Sequence, residues 1–389
     1  MVGYQTRNKP KIIDIMKHVG LLFALLFSAV TNGLFAQEKL DLYKSKDHPK
    51  TVKISEIAEK VVYIPLETTD QSLLSETLEI YYGKNDIFVG DQDHAVFYRF
   101  NKQGKFLNQI GRKGEGPGEY PSAIHFYVDE GKSTVSIISP KTRTIYQYNY
   151  EGQFVGKIAF PESPWMITLQ DGQYLFYNQR FNRISNDPNV SELFLADASG
   201  QIVKQCPTTI QDKEMDMLLF ESPFFYTYNQ KNYYKNPLLD QVFEVKSPLQ
   251  LVPAYEIYTG PQKRTKNDMR NPQNLLQQVS VRHIVETDQL RVVIFAHQNK
   301  FHNAIYRKSD ASFVTTKNQY PGFAEDLTGG PDFTAYWMGY SRQPVLLSLL
   351  TAERIEQQSD RFKKAVVAEP ALATWKPEDN PILVVAFLR

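Results

Sequence analysis

The sequence predicts an all-β protein, a six-bladed β-propeller, from three observations. Alternating apolar strands end in the same Asx-x-x-Gly turn at Gly104, Gly152 and Gly200, so the turn recurs every 48 residues. A fixed period of roughly 40–50 residues, built from strands and hairpins, is typical of propeller blades. Weaker copies of the unit follow, and an aromatic content of 13% favours packed sheets over helices.

Each strict unit is predicted to be the outer hairpin of a blade. In the first unit, Tyr98, Phe100 and Phe106 follow the period-two alternation of a strand with one buried face. Asn101 suits the first corner of a type I turn, and Gly104 suits the left-handed position that lets the chain return. We therefore expect positive φ at the three turn glycines. The alternative, three unrelated hairpins, leaves their shared internal register unexplained.

The later units are less regular. Val242–Lys246 keeps the strand pattern, but a Ser-Pro pair replaces the turn glycine, and Ile305–Asp310 keeps a polar turn without glycine. A sixth unit begins near Asp326. Apolar spacing and capping residues predict short helical insertions in these later blades. The predicted insertions are Asn267–Gln278 and Val345–Val367.

Two terminal strands are predicted to close the ring. Val61–Leu66 and Ile382–Leu388 are apolar runs of strand length near the two ends of the chain. A propeller joins its last blade to its first, usually by mixing strands from both termini in one sheet. We therefore expect a polar lead-in over residues 37–60 and one propeller domain over 61–389. The alternative is that the two strands are unrelated edges of a sandwich.

A secretory signal peptide is predicted over residues 1–36. The apolar run Val19–Val30 follows Lys11 and Lys17, precedes small residues, and is too short to span a bilayer as a stable helix. Met16 is a second candidate start. The alternatives are a buried helix or a retained membrane anchor. Because no cysteine lies near the cleavage region, we expect a periplasmic or secreted protein that carries no lipid anchor and no stable membrane span after cleavage.

Composition argues against some classes of partner. The formal net charge is +1 and no basic run is present, which argues against nucleic-acid binding. Cys206 is the only cysteine, so the chain cannot form an internal disulfide and its stability must come from its core. We interpret Cys206 as a small packing residue after the third hairpin rather than a nucleophile.

The segment Ile110–Tyr120 (IGRKGEGPGEY) resembles the inter-blade signature of secreted bacterial six-bladed β-propeller proteins that are NHL-like. Val62–Glu67 looks like the opening strand of that family, and Glu325–Gly330 and Asp379–Leu383 are similar to its late motifs. The resemblance covers nearly the whole mature chain and implies the fold and an exported location. The family has no settled activity, so the resemblance implies no catalytic residue. The fourth and fifth units depart from it by lacking the turn glycine.

The loop Gly111–Tyr120 is the first candidate site. Its four glycines expose backbone N–H groups, and Arg112 and Lys113 add positive charge, so the loop is suited to bind an anion such as a carboxylate or sulfated sugar. Glu119 and Tyr120 complete the candidate ligand-binding residues of this loop. It does not match a phosphate-binding P-loop. The alternative is that the glycines only shape the crossover between blades.

The remaining candidates are expected at the channel mouth. His125 and His283 each lie near the start of a predicted inner strand, Arg282 precedes His283, and Asp326 lies beside a pair of glycines. The spacing predicts neither a catalytic set nor a metal site, and each histidine has an alternative structural role. No cofactor is expected. Calcium stays open as a channel ligand, although the oxygen-rich spacing of a calcium loop is missing.

The sequence therefore predicts an exported, monomeric binding or scaffolding module for a glycan, peptide or protein partner at the channel mouth. The aromatic run Phe224–Tyr228 either stacks on such a ligand or packs in the blade core. The alternative function is a lyase or hydrolase that acts on a glycan or peptide at the same site. Convergence of the candidate acid, base and cationic residues at one end of the channel would favour the enzyme.

Overall fold

The computed structural model contains six small sheets arranged as a β-propeller, which confirms the predicted fold class. Residues Lys39–Arg389 form one compact unit. The predicted signal peptide and most of the predicted helix Asn267–Gln278 lie outside the described residues. The structure describes residues 38–178, 191–207, 223–261, 273, 277–317 and 322–389.

The segment before the first blade contributes strands to later blades. It contains the strand β1 (Lys39–Asp41), the helix α1 (Leu42–Ser45), a 3-10 turn (Ile54–Glu56) and the strand β2 (Ala58–Pro65). Helix α1 begins after Asp41, whose carboxylate accepts a hydrogen bond from the third backbone N–H of the helix at 2.9 Å. β1 joins blade 4 and β2 joins blade 6.

Blades 1, 2 and 3 each contain four consecutive antiparallel strands, and the sheet of blade 1 has a fifth strand from a later part of the chain. In each blade the first strand is the innermost and the fourth is the outermost. The strands are β3 (Leu78–Tyr82), β4 (Asp86–Asp91), β5 (Val96–Asn101), β6 (Phe106–Gln109), β7 (His125–Asp129), β8 (Thr134–Ser139), β9 (Thr144–Asn149), β10 (Phe154–Ala159), β11 (Pro164–Gln170), β12 (Gln173–Asn178), β13 (Leu193–Ala196) and β14 (Ile202–Cys206).

Blades 4 and 5 repeat the arrangement without the turn glycine. In blade 4, β1 adds in parallel to the outermost strand, with Leu40 opposite Ile257. The strands are β15 (Phe224–Tyr228), β16 (Lys231–Lys235), β17 (Gln241–Lys246), β18 (Gln250–Tyr258), β19 (Ser280–Glu286), β20 (Leu290–His297), β21 (Lys300–Arg307) and β22 (Ser312–Thr315).

Blade 6 closes the ring as predicted, because strands from both ends of the chain share one sheet. β25 (Ile382–Leu388) pairs antiparallel with β2 on one side, with Tyr63 opposite Val384, and with β24 (Val345–Leu350) on the other. The short strand β23 (Gly339–Tyr340) runs parallel to β3 and so bridges blade 6 to blade 1. The alternative of a sandwich with unrelated edge strands is therefore wrong.

The prediction of one helical stretch over Val345–Val367 is wrong in its first part. Every residue of Val345–Leu350 is buried, and the segment is strand β24. A strand buried on both faces is a continuous apolar run, which periodicity alone does not distinguish from a buried helix. The helical insertion begins after β24 and lies between it and β25. It contains α2 (Ala352–Gln357), α3 (Ser359–Ala368) and a 3-10 turn (Pro370–Thr374).

The three turn glycines have the predicted left-handed conformation. Their φ angles are +82° at Gly104, +80° at Gly152 and +88° at Gly200. In the first turn, the Asn101 side chain accepts a hydrogen bond from Gln103 N at 2.9 Å, which is the expected Asx arrangement. The prediction of a repeated hairpin is confirmed.

The core is divided among the junctions between neighbouring blades. One buried cluster joins blades 6 and 1 and includes Leu383 and Ile80, and the next joins blades 1 and 2 and includes Phe88 and Ile137. Similar clusters fill the other four junctions. Since sheet faces pack against each other around the ring, the innermost strands also present residues to the central channel.

Candidate functional site

A cavity of about 780 Å³ lies in the central channel. The innermost strands of blades 1 to 5 form its wall, and the segment from Gly339 to Val345 supplies the side of blade 6. The turns after β15 and β19 also line it, so the cavity reaches the ends of these strands. Ligand pockets commonly have a volume of about 300–1,000 Å³ and occur in such concave places. This cavity is therefore the leading site of the described structure.

One group of lining residues is the channel cluster, which we define as Glu79, His125, His283 and Tyr340. His125 Nδ1 lies 3.2 Å from Glu79 Oε2, and both side chains are largely buried. Gln92 Nε2 donates a second hydrogen bond to the same carboxylate at 3.0 Å. A carboxylate bound to one ring nitrogen fixes the orientation of an imidazole, so His125 is held in place at the channel wall.

His283 has a different environment in the same cluster. Its ring packs edge-on against Phe224 and Tyr340, with centroids 5.7 and 5.1 Å apart. Its Nδ1 atom is buried and has no hydrogen-bond partner in the described part of the chain. Burial lowers the pKa of His283 to about 4, so the ring is neutral near pH 7.

Tyrosines and an arginine line the side of the cavity formed by blades 1, 2 and 6. Arg342 Nη2 donates a hydrogen bond to Tyr127 Oη at 2.5 Å, and its guanidinium is 6.0 Å from the centre of that ring. Tyr81 Oη is buried without a partner among the described residues. Burial raises the pKa of Tyr81 and of Tyr127, so both phenols stay protonated.

The opposite side of the cavity, on blades 4 and 5, has its acidic groups already bonded. Tyr228 Oη donates to Asp288 Oδ1 at 2.7 Å. Glu286 accepts from Tyr226 Oη at 3.0 Å and forms ion pairs with Arg291 and Lys308. Because cations surround Glu286, this side adds hydrogen-bonding groups and aromatic surface to the cavity rather than an unbalanced negative charge.

Of the eight predicted ligand-binding residues, His125 and His283 line this cavity. Arg282 lies beside His283 on β19, at a bulge in its pairing with β20, but does not line the cavity. Asp326 is bonded to Ser55, which donates from its backbone N at 3.1 Å and from Oγ at 2.7 Å. Of the predicted residues, the cavity therefore brings together only the two histidines, and the convergence that would favour an enzyme is not present among the candidates.

The other four candidates lie together in the loop between blades 1 and 2. Glu119 Oε2 accepts from Gly116 N at 2.9 Å, and Glu119 Oε1 is 3.7 Å from Arg112 Nε. Tyr120 is fully buried and its hydroxyl donates to the carbonyl of Ala95 at 3.2 Å. The loop thus binds its own carboxylate where an external anion was expected. Lys113 forms an isolated bridge with Tyr120 and does not line the cavity.

Several lining residues were missed by the sequence analysis. Glu79 is a single charge inside the apolar run of β3, and a buried charge in a strand is a signal that sequence reading can detect. Tyr81 and Thr227 alternate along inner strands like ordinary core residues, so their sequence context carries no such signal. Arg342 lies in a turn, and only the tertiary structure places it at the channel.

Two further features bear on the class of site. The described residues contain no group of three or more His, Cys, Asp or Glu side chains that could hold a metal ion. None of the helices in the described ranges is long and apolar enough to cross a membrane.

The sequence matches the model of one protein family, and the fold is similar to that of solved structures. The model of a family described as Domain of unknown function (DUF4934) matches residues 37–387. No curated protein matches the sequence. A "putative exported protein" from Bacteroides fragilis NCTC 9343 has a similar structure, with a TM-score of 0.70 and 19% identity over 90% of this chain and 99% of that chain. A DUF4221-family member from Bacteroides vulgatus ATCC 8482 has a TM-score of 0.53 and 11% identity, over 85% and 97% of the two chains. At these identities the likeness shows the fold alone.

Proposed function

Because the chain belongs to the DUF4934 family, whose description names no activity, we propose a function from the site itself. The protein is an exported binding module that holds part of a glycan, a peptide or a protein partner in its channel cavity. The proposal places the protein in the periplasm or outside the cell, where it acts as a monomer. The predicted signal peptide and the likeness to a protein described as exported support this location.

The observation that carries the proposal is the composition of the cavity wall. About 780 Å³ of space is lined by tyrosines together with hydroxyl, amide and imidazole groups from the inner strands. Apolar and aromatic walls with a few placed polar groups are typical of ligand sites, because the walls supply affinity and the polar groups fix orientation. A ring of sheets holds these groups on rigid elements.

A variant that fills the cavity tests the proposal. Thr227 lines the channel and its side chain is exposed there, so Thr227→Trp places an indole in the cavity and removes one hydrogen bond, from Thr227 Oγ1 to Asn232 Oδ1 at 3.1 Å. Thr374→Trp is the matched control, because Thr374 is exposed on the 3-10 turn after α3 and outside the cavity. We expect oligosaccharides or peptides that raise the melting temperature of the wild type to lose this effect with Thr227→Trp and to retain it with Thr374→Trp. Equal ligand effects in both variants would contradict a channel site.

The Glu79–His125 pair favours a second candidate function, a lyase or hydrolase at the same cavity. An imidazole oriented by a carboxylate is a common general base. If the protein is such an enzyme, we expect mass spectrometry to detect a cleaved product after the wild type is incubated with a ligand that it binds. His125→Asn is then expected to abolish cleavage and to keep ligand binding. If the ligand is recovered intact from the wild type, the enzyme function is rejected and ligand binding remains the proposed function.

A further inference from the structure

His283 is one of two cavity-lining residues, with Tyr81, that have a buried polar atom without a described partner. The side chain is only 5% exposed, and its Nδ1 atom has no hydrogen-bond partner in the described ranges. Buried polar groups are normally bonded, and leaving one unpaired costs stability. An unpaired buried group that lines a cavity is explained most simply by a function there, since a bound ligand can supply the missing partner.

The charges around His283 limit which ligand groups can bind beside it. In the channel cluster, Glu79 and His125 are paired with each other, so neither is available as a counter-ion. The nearest ring contacts of His283 are Phe224 and Tyr340, which carry no charge. A buried ligand charge without a counter-ion is strongly unfavourable. The ligand group that reaches this cluster is therefore neutral and polar.

A hydroxyl group fits these conditions best. A neutral imidazole offers one donor and one acceptor, and a hydroxyl likewise donates and accepts. Tyr81 Oη, which is also buried without a described partner and lines the same cavity, has the same dual character. The aromatic walls, among them Phe225 and Tyr228, suit the apolar faces of sugar rings.

We propose that the channel cluster binds an uncharged, polyhydroxylated ligand, a neutral glycan, and that His283 hydrogen-bonds one of its hydroxyl groups. This inference rests on the proposed function and specifies the ligand class of the same site. The low pKa of His283, about 4, is consistent with it, because the ring stays neutral near pH 7.

The first arm of the test identifies the ligand class. Wild-type protein is titrated calorimetrically with neutral hexasaccharides (of glucose, mannose and xylose), with oligogalacturonate and heparin hexasaccharides, and with a pool of random hexapeptides. We expect binding of at least one neutral hexasaccharide and at least about tenfold weaker binding of the anionic sugars and the peptides. Binding of peptides or anionic sugars in preference to neutral ones overturns the inference. If peptides or anionic sugars bind preferentially, loss of their binding in Thr227→Trp would still support a channel site.

The second arm assigns the role of His283. His283→Phe keeps the ring contacts with Phe224 and Tyr340 but removes both nitrogens, so we expect about tenfold weaker glycan binding and an unchanged or higher melting temperature. His283→Gln restores a donor and an acceptor and is expected to recover part of the affinity. His302→Phe is the matched control, because His302 stacks on Phe295 in the same blade but does not line the cavity.

The outcomes separate the possible failures. Unchanged glycan affinity in His283→Phe would overturn the role of His283, whatever the ligand. A comparable loss of glycan affinity in His302→Phe would show that the effect comes from blade 5 as a whole and would also overturn the role of His283. If no glycan or peptide binds the wild type, the proposed function itself fails.

Discussion

Gly104 lies directly against the carbonyl oxygen of Pro65, at the junction between blade 1 and the closing strand β2. A Cβ atom on Gly104 would lie 2.0 Å from that oxygen. The contact recurs around the ring, because a Cβ on Gly152 would lie 2.2 Å from Gln109 O, and one on Gly200 would lie 2.2 Å from Ala159 O. The 48-residue spacing of these glycines therefore reflects the packing of each blade on the preceding one as well as the geometry of the turn.

Gly104→Ala is expected to destabilise the protein by about 3 kcal/mol, because strain at positive φ adds to the clash with the Pro65 carbonyl. Gly172→Ala is the matched control, since Gly172 also has positive φ (+76°) but no atom within 4 Å of an added Cβ. We expect it to cost about 1 kcal/mol. Urea denaturation of both variants measures the difference, and equal losses would contradict the junction contact.

The second prediction concerns the contribution of the closing strand β25 to stability. Leu383 is fully buried between blades 6 and 1, so Leu383→Ala is expected to lower the free energy of unfolding by about 3 kcal/mol through lost burial and a cavity. The control Leu73→Ala removes the same atoms from a side chain that is 60% exposed, and a change within about 0.5 kcal/mol is expected. Thermal and urea unfolding measure both. A small loss for Leu383→Ala would mean that the closing sheet contributes little to stability.

The burial of His283 predicts a pH dependence of stability. Its folded-state pKa of about 4 lies below the ordinary histidine value of 6.5, so protons favour the unfolded chain. The stability of the wild type should therefore fall relative to His283→Phe as the pH falls from about 6.5 to 4, by about 3 kcal/mol in total. Urea unfolding of both proteins at pH 7.5 and 4 measures this difference. A constant difference across that range would show that His283 is not buried as described.

The loop between blades 1 and 2 makes a prediction about Glu119. Glu119→Ala removes the acceptor for Gly116 N, so we expect faster hydrogen exchange at that amide and a loss of about 1 kcal/mol of stability. Glu115→Ala, at an exposed position of the same loop, should change neither property. Ligand binding in the channel is expected to be normal in both variants. Weakened binding only in Glu119→Ala would instead support the loop as a ligand site.

Much of the architecture was predictable because it depends on local pattern. The turn at Gly104 needs a left-handed residue whatever surrounds it, and the apolar run Ile382–Leu388 has few alternatives to a buried strand. Val345–Leu350 was predicted incorrectly as helix, because a run that is apolar throughout carries no period. Long-range pairing decided that segment, since its backbone bonds go to β25.

The candidate site was predictable only in part, for a physical reason. His125 and His283 were expected near the channel because both lie near the start of a predicted inner strand. Both residues line the cavity in the structure. The loop at Glu119 has the composition of an anion site, and in the structure Gly116 N donates to the loop's own Glu119; sequence does not reveal which partner a backbone N–H finds. Sequence likewise does not reveal that His125 is paired with Glu79 while His283 Nδ1 has no described partner.

Residue type and spacing over short distances are enough to predict the repeat, its turns and the two strands that close the ring. The folded arrangement is needed to show that Glu79 pairs with His125, that His283 is buried without a described partner, and that the turn glycines contact the preceding blade. Those relationships join residues from different blades, and burial and pairing depend on how the blades pack around the axis.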